Sequence, residues 1–245
     1  MEVRGSQAGA LLGYFGPALA ALLVAGLTAG RQGLRALLAR LFRWRVPLRW
    51  YLVAILLPAG SALLVVGLLA IVEGQLSNLD TSGLQPILPE ILAVLVFGSL
   101  YGLVVAAGEE LGWRVFALPR LLARHNALVA SIVLGIVWGL WHVPVGFWFD
   151  SQAPALGDAL LYGLGFDFAA VIYTWLFLHS RGSVLIASLF HAVYDISLLV
   201  IGQIAQATPG LDFAPRLHLV VLGLVAALLV VAYGPQLCRA AEPTL

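Results

Sequence analysis

Seven stretches of this chain are almost unbroken runs of apolar residues, and the polar residues gather between them. Gly5 to Gly30 carries no charged side chain, nor does Trp50 to Val72, nor Ile91 to Gly108. Asn126 to Phe149 holds one ionisable group, His142. A fifth stretch, from about Ala155 to Leu178, is interrupted by Asp167. A sixth, from about Ser183 to Gln203, holds His191 and Asp195, and a seventh runs from about Leu217 to Gly234. A helix needs roughly 18–20 apolar residues to cross the hydrocarbon of a bilayer. The runs are continuous and Leu/Ala-rich instead of alternating, which predicts helices and not strands. The expected fold is all-α: a polytopic transmembrane helical bundle of about seven spans, forming one membrane domain over residues 1–245. A re-entrant segment in 74–90 or 112–126 would make the count six or eight.

Composition agrees with that pattern. Hydrophobic residues make up 62% of the chain and charged residues 10%, with a mean hydropathy of +1.00. A water-soluble domain carries about 25% charged residues. The net charge of +1 gives no electrostatic case for nucleic acid. The single cysteine, Cys238, excludes an internal disulfide and a cysteine-based metal cage, and reads as an unreactive thiol at a helix end. The N-terminus lacks the short basic-then-apolar pattern of a cleaved signal, so the first span is expected to stay in place. No internal repeat is visible.

All thirteen basic residues are arginine. Arg31, Arg35, Arg40, Arg43, Arg45 and Arg49 lie between spans one and two. Arg114, Arg120 and Arg124 lie between three and four, Arg181 between five and six, and Arg239 after seven. The alternate connections carry Glu73, Asp80, Glu90, Asp150, Asp158 and Asp212, with Arg216 the one basic exception. The positive-inside rule then puts the N-terminus outside and the C-terminus in the cytoplasm. The short, all-Arg chain suggests a prokaryotic cytoplasmic membrane. The arginines of 31–49 fix topology and touch anionic lipid incidentally.

Ionisable groups at membrane depth are costly unless paired or hydrated, so each is a functional candidate. Glu109-Glu110-Leu111-Gly112-Trp113-Arg114 closes the third span. Glu110 and Arg114, four apart, share a helix face and can form an ion pair. That leaves Glu109 without a local cation and suited to be a general base. His142 and Glu109 are equidistant from the polar turn near His125 and Asn126, so an antiparallel hairpin sets them at one depth, apart from any bend at Pro119. His191 and Asp195 sit one helical turn apart, an arrangement that can orient an imidazole. Asp167 has no partner legible in the sequence and divides evenly between packing and site. His125, His179 and His218 read as ordinary polar residues near the interfaces. The carboxylate and imidazole of Glu109 and His142 can activate water, and a second His with a neighbour can stabilise an oxyanion. Glu109, His142 and His191 could alternatively hold zinc with an open position. Both arrangements point to hydrolysis of an acyl bond within the membrane.

Glu-Glu-x-x-x-Arg at 109–114, aromatic-x-x-x-His at 138–142 and His-x-x-x-Asp at 191–195 resemble, in that order, the CPBP family of CAAX proteases and bacteriocin-processing membrane proteins, also called Abi or type II CAAX prenyl endopeptidases. The resemblance covers about residues 90–200, the expected catalytic core. Gly16-Pro17-Ala18-Leu19-Ala20-Ala21-Leu22 is also similar, and less diagnostic. The resemblance implies an intramembrane endopeptidase acting on a membrane-associated or lipidated protein. Glu109 and His142 would activate water, His191 and Asp195 would stabilise the oxyanion, and Arg114 would hold the glutamate pair, Glu110 included. Family descriptions divide between a metalloprotease and a glutamate-dependent enzyme, and no His-Glu-x-x-His helix independently supports zinc here. Two positions depart from the family pattern. Trp138 stands where Phe is commoner, and Asp195 where Asn is often found. Asn donates a hydrogen bond at any pH, whereas Asp donates only when protonated. An ionised Asp195 would instead orient His191.

Two other classes compete. A catalytically silent scaffold or bacteriocin-immunity-type protein of the same fold need not keep Glu109, His142 and His191 together. A proton-coupled transporter should show a file of ionisable groups across the bilayer and repeated halves.

Overall fold

The computed structural model describes residues 7–72, 99–149, 156–207 and 213–238. Among these the chain is helical and has no strand. The helices are α1 (Gln7–Ala39), α2 (Leu48–Val72), α3 (Ser99–Glu110), a π-helical segment (Leu111–Ala117), α4 (Leu118–Leu122), α5 (Ala127–Phe149), α6 (Leu156–His179), α7 (Val184–Ala207) and α8 (Ala214–Tyr233). The first half of the third expected span (91–98), the 74–90 segment and most of the expected acidic connections lie outside the described residues. The 112–126 segment continues the helix to Leu122, then turns into α5.

The protein is an integral membrane helical bundle, and its surface shows why. Leu19, Leu23 and Leu27 on α1, Leu52, Leu56 and Leu63 on α2, and Leu224, Leu228 and Val231 on α8 are all exposed. Such a contiguous apolar sheath is stable only against lipid. Four described helices hold stretches long and apolar enough to cross a membrane: Gly13–Ala39, Leu48–Leu69, Val184–Ala205 and Ala214–Tyr233. Ala127–Val143 and Gly163–His179 are shorter apolar stretches.

At Gly30 the helical path of α1 breaks, with φ 56° and ψ −146°. A side chain would be strained there, which explains the glycine. Beyond the break, Leu34 and Leu37 face inward while Arg31 and Arg35 are exposed. The segment is then tied to the α6–α7 turn. Ser183 Oγ donates to the Arg43 carbonyl at 2.6 Å, and Arg43 Nη1 donates to the Arg181 carbonyl.

Two contacts between backbones position the site. Pro17 of α1 packs directly on Gly112 in the π-helical segment. A Cβ at Gly112 would fall 2.4 Å from Pro17 Cβ and 2.6 Å from its carbonyl carbon. This seats the small-residue stripe Ala18, Ala21 and Ala25 on Leu111, Val115 and Leu118. Asp167 of α6 packs on Gly135 of α5, where an added Cβ would lie 2.4 Å from Asp167 Oδ1 and 2.7 Å from its Cα. Asp167 Oδ1 is buried without a hydrogen-bond partner among the described residues. Its observed place is therefore the α5–α6 crossing.

Candidate active site

The helix does not end at Glu109 and Glu110. It continues through the π-helical segment, so both carboxylates are buried: Glu109 is 5% exposed, and Glu110 and Arg114 are 0% exposed. A π turn inserts extra backbone into the helix and is frequent at functional sites. Here it spans Gly112 and Arg114, between the glutamate pair and Pro119.

Glu110 is the hub of the cluster. Its Oε2 lies 3.1 Å from Arg114 Nε, as the i, i+4 spacing predicts. The two atoms lack the alignment of a hydrogen bond, so charge holds the pair. Its Oε1 accepts a hydrogen bond from His191 Nδ1 at 2.8 Å, a contact 81 residues apart in sequence. The Arg114 guanidinium carbon lies 4.4 Å from the centroid of the Trp138 ring and 4.2 Å from that of Tyr173. Cation–π attraction thus supplements one carboxylate in holding a fully buried cation.

The other motif residues gather around Trp138. Its indole Nε1 donates to Glu109 Oε2 at 3.0 Å. Its ring meets those of His142, His191, Tyr173 and Phe166 edge-on, with centroids 4.9 to 5.9 Å apart. His142 Nδ1 donates to the Trp138 carbonyl at 2.9 Å, one turn back in α5. That bond fixes the Nδ1–H tautomer of the neutral ring and leaves Nε2 with its lone pair. Trp138, expected only as the aromatic of a motif, is therefore the piece that joins Glu109 to both histidines.

His191 is oriented mainly by Glu110. Asp195 Oδ2 stands 3.6 Å from His191 Nε2, beyond hydrogen-bond range. The side chain of Asp195 is 62% exposed, and its exposure is to a cavity that it lines. Glu110 is thus the nearer carboxylate to His191, and Asp195 faces the other ring nitrogen. Sequence reasoning paired Glu110 with Arg114 alone and gave His191 to Asp195 because both pairs are local.

The cavity has a volume of about 550 Å³. His142, His191 and Asp195 reach its wall beside Trp138, and Leu161, Phe166, Ala169, Leu198 and Leu222 make it apolar. Glu109 does not itself line the cavity and is joined to it through Trp138, whose indole Nε1 donates to Glu109 Oε2. His218, expected to be an ordinary interfacial residue, is also on the wall and is 1% exposed. Its Nε2 lies 3.1 Å from Ser61 Oγ, whose own proton goes to the Pro58 carbonyl at 2.7 Å. No pattern in the sequence pairs residues 61 and 218. Of the other histidines, His179 joins an aromatic cluster with Trp50, Trp175 and Tyr233.

The donors do not fit a metal centre. Among the described residues no group of three His, Cys, Asp or Glu side chains is arranged to hold an ion. Of the expected set Glu109, His142 and His191, Glu109 Oε2 accepts from an indole and His191 Nδ1 is bonded to Glu110.

The three motifs thus converge from α3, α5 and α7 beside an apolar cavity. Residues 90–197 match the family model described as type II CAAX prenyl endopeptidase Rce1-like. Over these residues the chain is similar to the CAAX protease family. A relative within it is CAAX prenyl protease 2 of Methanococcus maripaludis, 38% identical over 108 residues. That alignment covers 41% of this chain and 40% of the relative, so the match spans well under half of either protein. The CAAX protease segment contains all three motifs, whereas α1, α2 and α8, which pack around it, lie outside.

Proposed function

We propose that the chain is an intramembrane endopeptidase of the CAAX protease type. It would hydrolyse a peptide bond of a membrane-associated or lipidated protein in a prokaryotic cytoplasmic membrane. The observation that carries the reading is the junction of Glu110, His191, Trp138, Glu109 and His142 beside an apolar cavity that Trp138, His142 and His191 line.

Hydrolysis needs a base for water and a donor for the tetrahedral oxygen. His142, on the cavity wall, and Glu109, which accepts from the Trp138 indole on that same wall, would act together on a water admitted beside Trp138. As water attacks the carbonyl carbon, its proton passes to this pair, and the C–O bond forms as the C=O π pair moves to oxygen. In its imidazolium form His191 gives Nδ1–H to Glu110 and turns Nε2–H to the cavity, where the oxyanion would sit. Asp195, 3.6 Å from that nitrogen, adds a second donor when protonated. Collapse of the intermediate breaks the C–N bond, and the proton held by the Glu109–His142 pair leaves with the amine. Arg114 and Glu110 touch no substrate; they position His191.

The reading is tested by an inventory of new peptide termini in membranes expressing the native chain, against membranes expressing Glu109→Gln at equal abundance. Termini that appear only with the native chain support it and name substrates. Matching inventories in a host with its natural membrane proteins would favour a silent scaffold of the same fold.

A further inference from the structure

The α8 side of the cavity wall lies outside the family segment, which ends at residue 197. Pro215, Leu219 and Leu222 bring no hydrogen-bonding side chain to it, and Arg216 brings donors only. His218 is the remaining lining residue of α8, and it is 1% exposed. Its ring faces that of Tyr194, the neighbour of Asp195 in α7, with centroids 5.9 Å apart and planes tilted by 31°.

The protons on His218 follow from its partner. Ser61 Oγ has one proton, and it goes to the Pro58 carbonyl at 2.7 Å. Towards His218 the hydroxyl can then only accept, so the 3.1 Å contact places a proton on Nε2. A neutral imidazole with Nε2–H keeps a bare lone pair on Nδ1. That nitrogen has no hydrogen-bond partner among the described residues and is not sealed inside the protein, so it opens on the cavity that His218 lines. Pro58 and Ser61, which hold the ring in this tautomer, also lie outside the family segment.

A bare acceptor on an apolar wall is selective, because an occupant without the matching donor leaves it unpaired. A peptide chain has the converse need. Its backbone N–H groups lose water in such a cavity, and each then requires an acceptor. We infer that His218 Nδ1 accepts a hydrogen bond from one backbone N–H of the bound chain, which makes His218 a specificity-determining residue that sets the register of the substrate against the motif cluster. The inference rests on the endopeptidase reading above.

The test uses the full-length protein in liposomes. The probes are a peptide spanning a cut site found in the terminus inventory and a series in which one backbone amide at a time, other than the cut one, is replaced by an ester. Each ester keeps the course of the chain and removes one N–H. With the native chain, one ester should raise KM about tenfold and leave kcat nearly unchanged, the scale of one hydrogen bond to an otherwise unpaired acceptor. His218→Phe should cleave that ester and its parent amide with equal KM. His218→Asn, whose Oδ1 can stand where Nδ1 stood, should keep part of the difference. His218→Gln, whose longer side chain reaches towards Ser61 instead, should keep none. If His218→Phe does not fold, the contrast between the Asn and Gln variants carries the decision. A position whose ester penalty is lost with Phe or Gln and retained with Asn supports the inference. Absence of any such position overturns it and leaves the protease reading intact. No cleavage of any peptide by the native chain removes the protease reading and this inference with it.

Discussion

Replacing Glu110 by Gln should cost far more stability than replacing Glu109 by Gln, although the two residues are adjacent. The Glu110→Gln change keeps the side-chain volume and removes the charge. Arg114 is 0% exposed, and Glu110 is the acidic partner that the described residues give it. Breaking a buried pair by removing one member leaves an uncompensated charge, at about 3–5 kcal/mol. The contacts of Arg114 with Trp138 and Tyr173 survive the change and soften the loss, so about 3 kcal/mol is expected. Glu109 differs, because its recorded partner is the indole N–H of Trp138, and an amide oxygen accepts that bond as well. Glu109→Gln should therefore cost about 1 kcal/mol or less. The assay is reversible unfolding of the purified protein in mixed micelles, followed by fluorescence of its seven tryptophans. A double variant, Glu110→Leu with Arg114→Met, should recover part of the loss, since it leaves no lone charge at that position. Equal stability of Glu110→Gln and Glu109→Gln would refute the reasoning. So would a double variant less stable than Glu110→Gln.

Other expectations follow from single contacts. Gly112→Ala forces Pro17 and its backbone away and should destabilise by about 1–3 kcal/mol in the same unfolding assay. Gly135→Ala collides with Asp167 and its backbone, and should lower both stability and cleavage rate because α5 and α6 carry His142 and Phe166 to the cavity. Trp138→Phe supplies the aromatic commoner in the family and should leave a folded protein. It removes the donor to Glu109, so cleavage should fall about tenfold or more, read as kcat on an identified substrate. Ser61→Ala leaves His218 Nε2 without its recorded partner and should cost about 1–2 kcal/mol.

What was legible in the sequence was local. Long apolar runs gave the helices because hydrocarbon demands length and continuity. Glu110–Arg114 was legible because four residues make one helical turn, and its ion pair is present. The end of the first span at Gly30 coincides with the break in α1. Contacts between helices were not legible. Glu110 to His191, Trp138 to Glu109 and Ser61 to His218 depend on how α3, α5, α7, α2 and α8 are rotated against one another. Apolar runs charged on no side carry little information about rotation in a membrane. The π-helical segment was hidden for a related reason. It turns Arg114 inward among Trp138 and Tyr173, and the sequence shows only a glycine and a proline near it.

The central claim is that Glu109 acts on the water that cuts the substrate. Its most direct measurement is the cleavage rate of one identified substrate by the purified, reconstituted native chain and by Glu109→Gln, with both shown to be folded by the unfolding assay. A general base contributes about 10²–10⁴-fold, so the variant should lose at least about a hundredfold in kcat. A folded Glu109→Gln that cleaves within about threefold of the native rate would contradict the account.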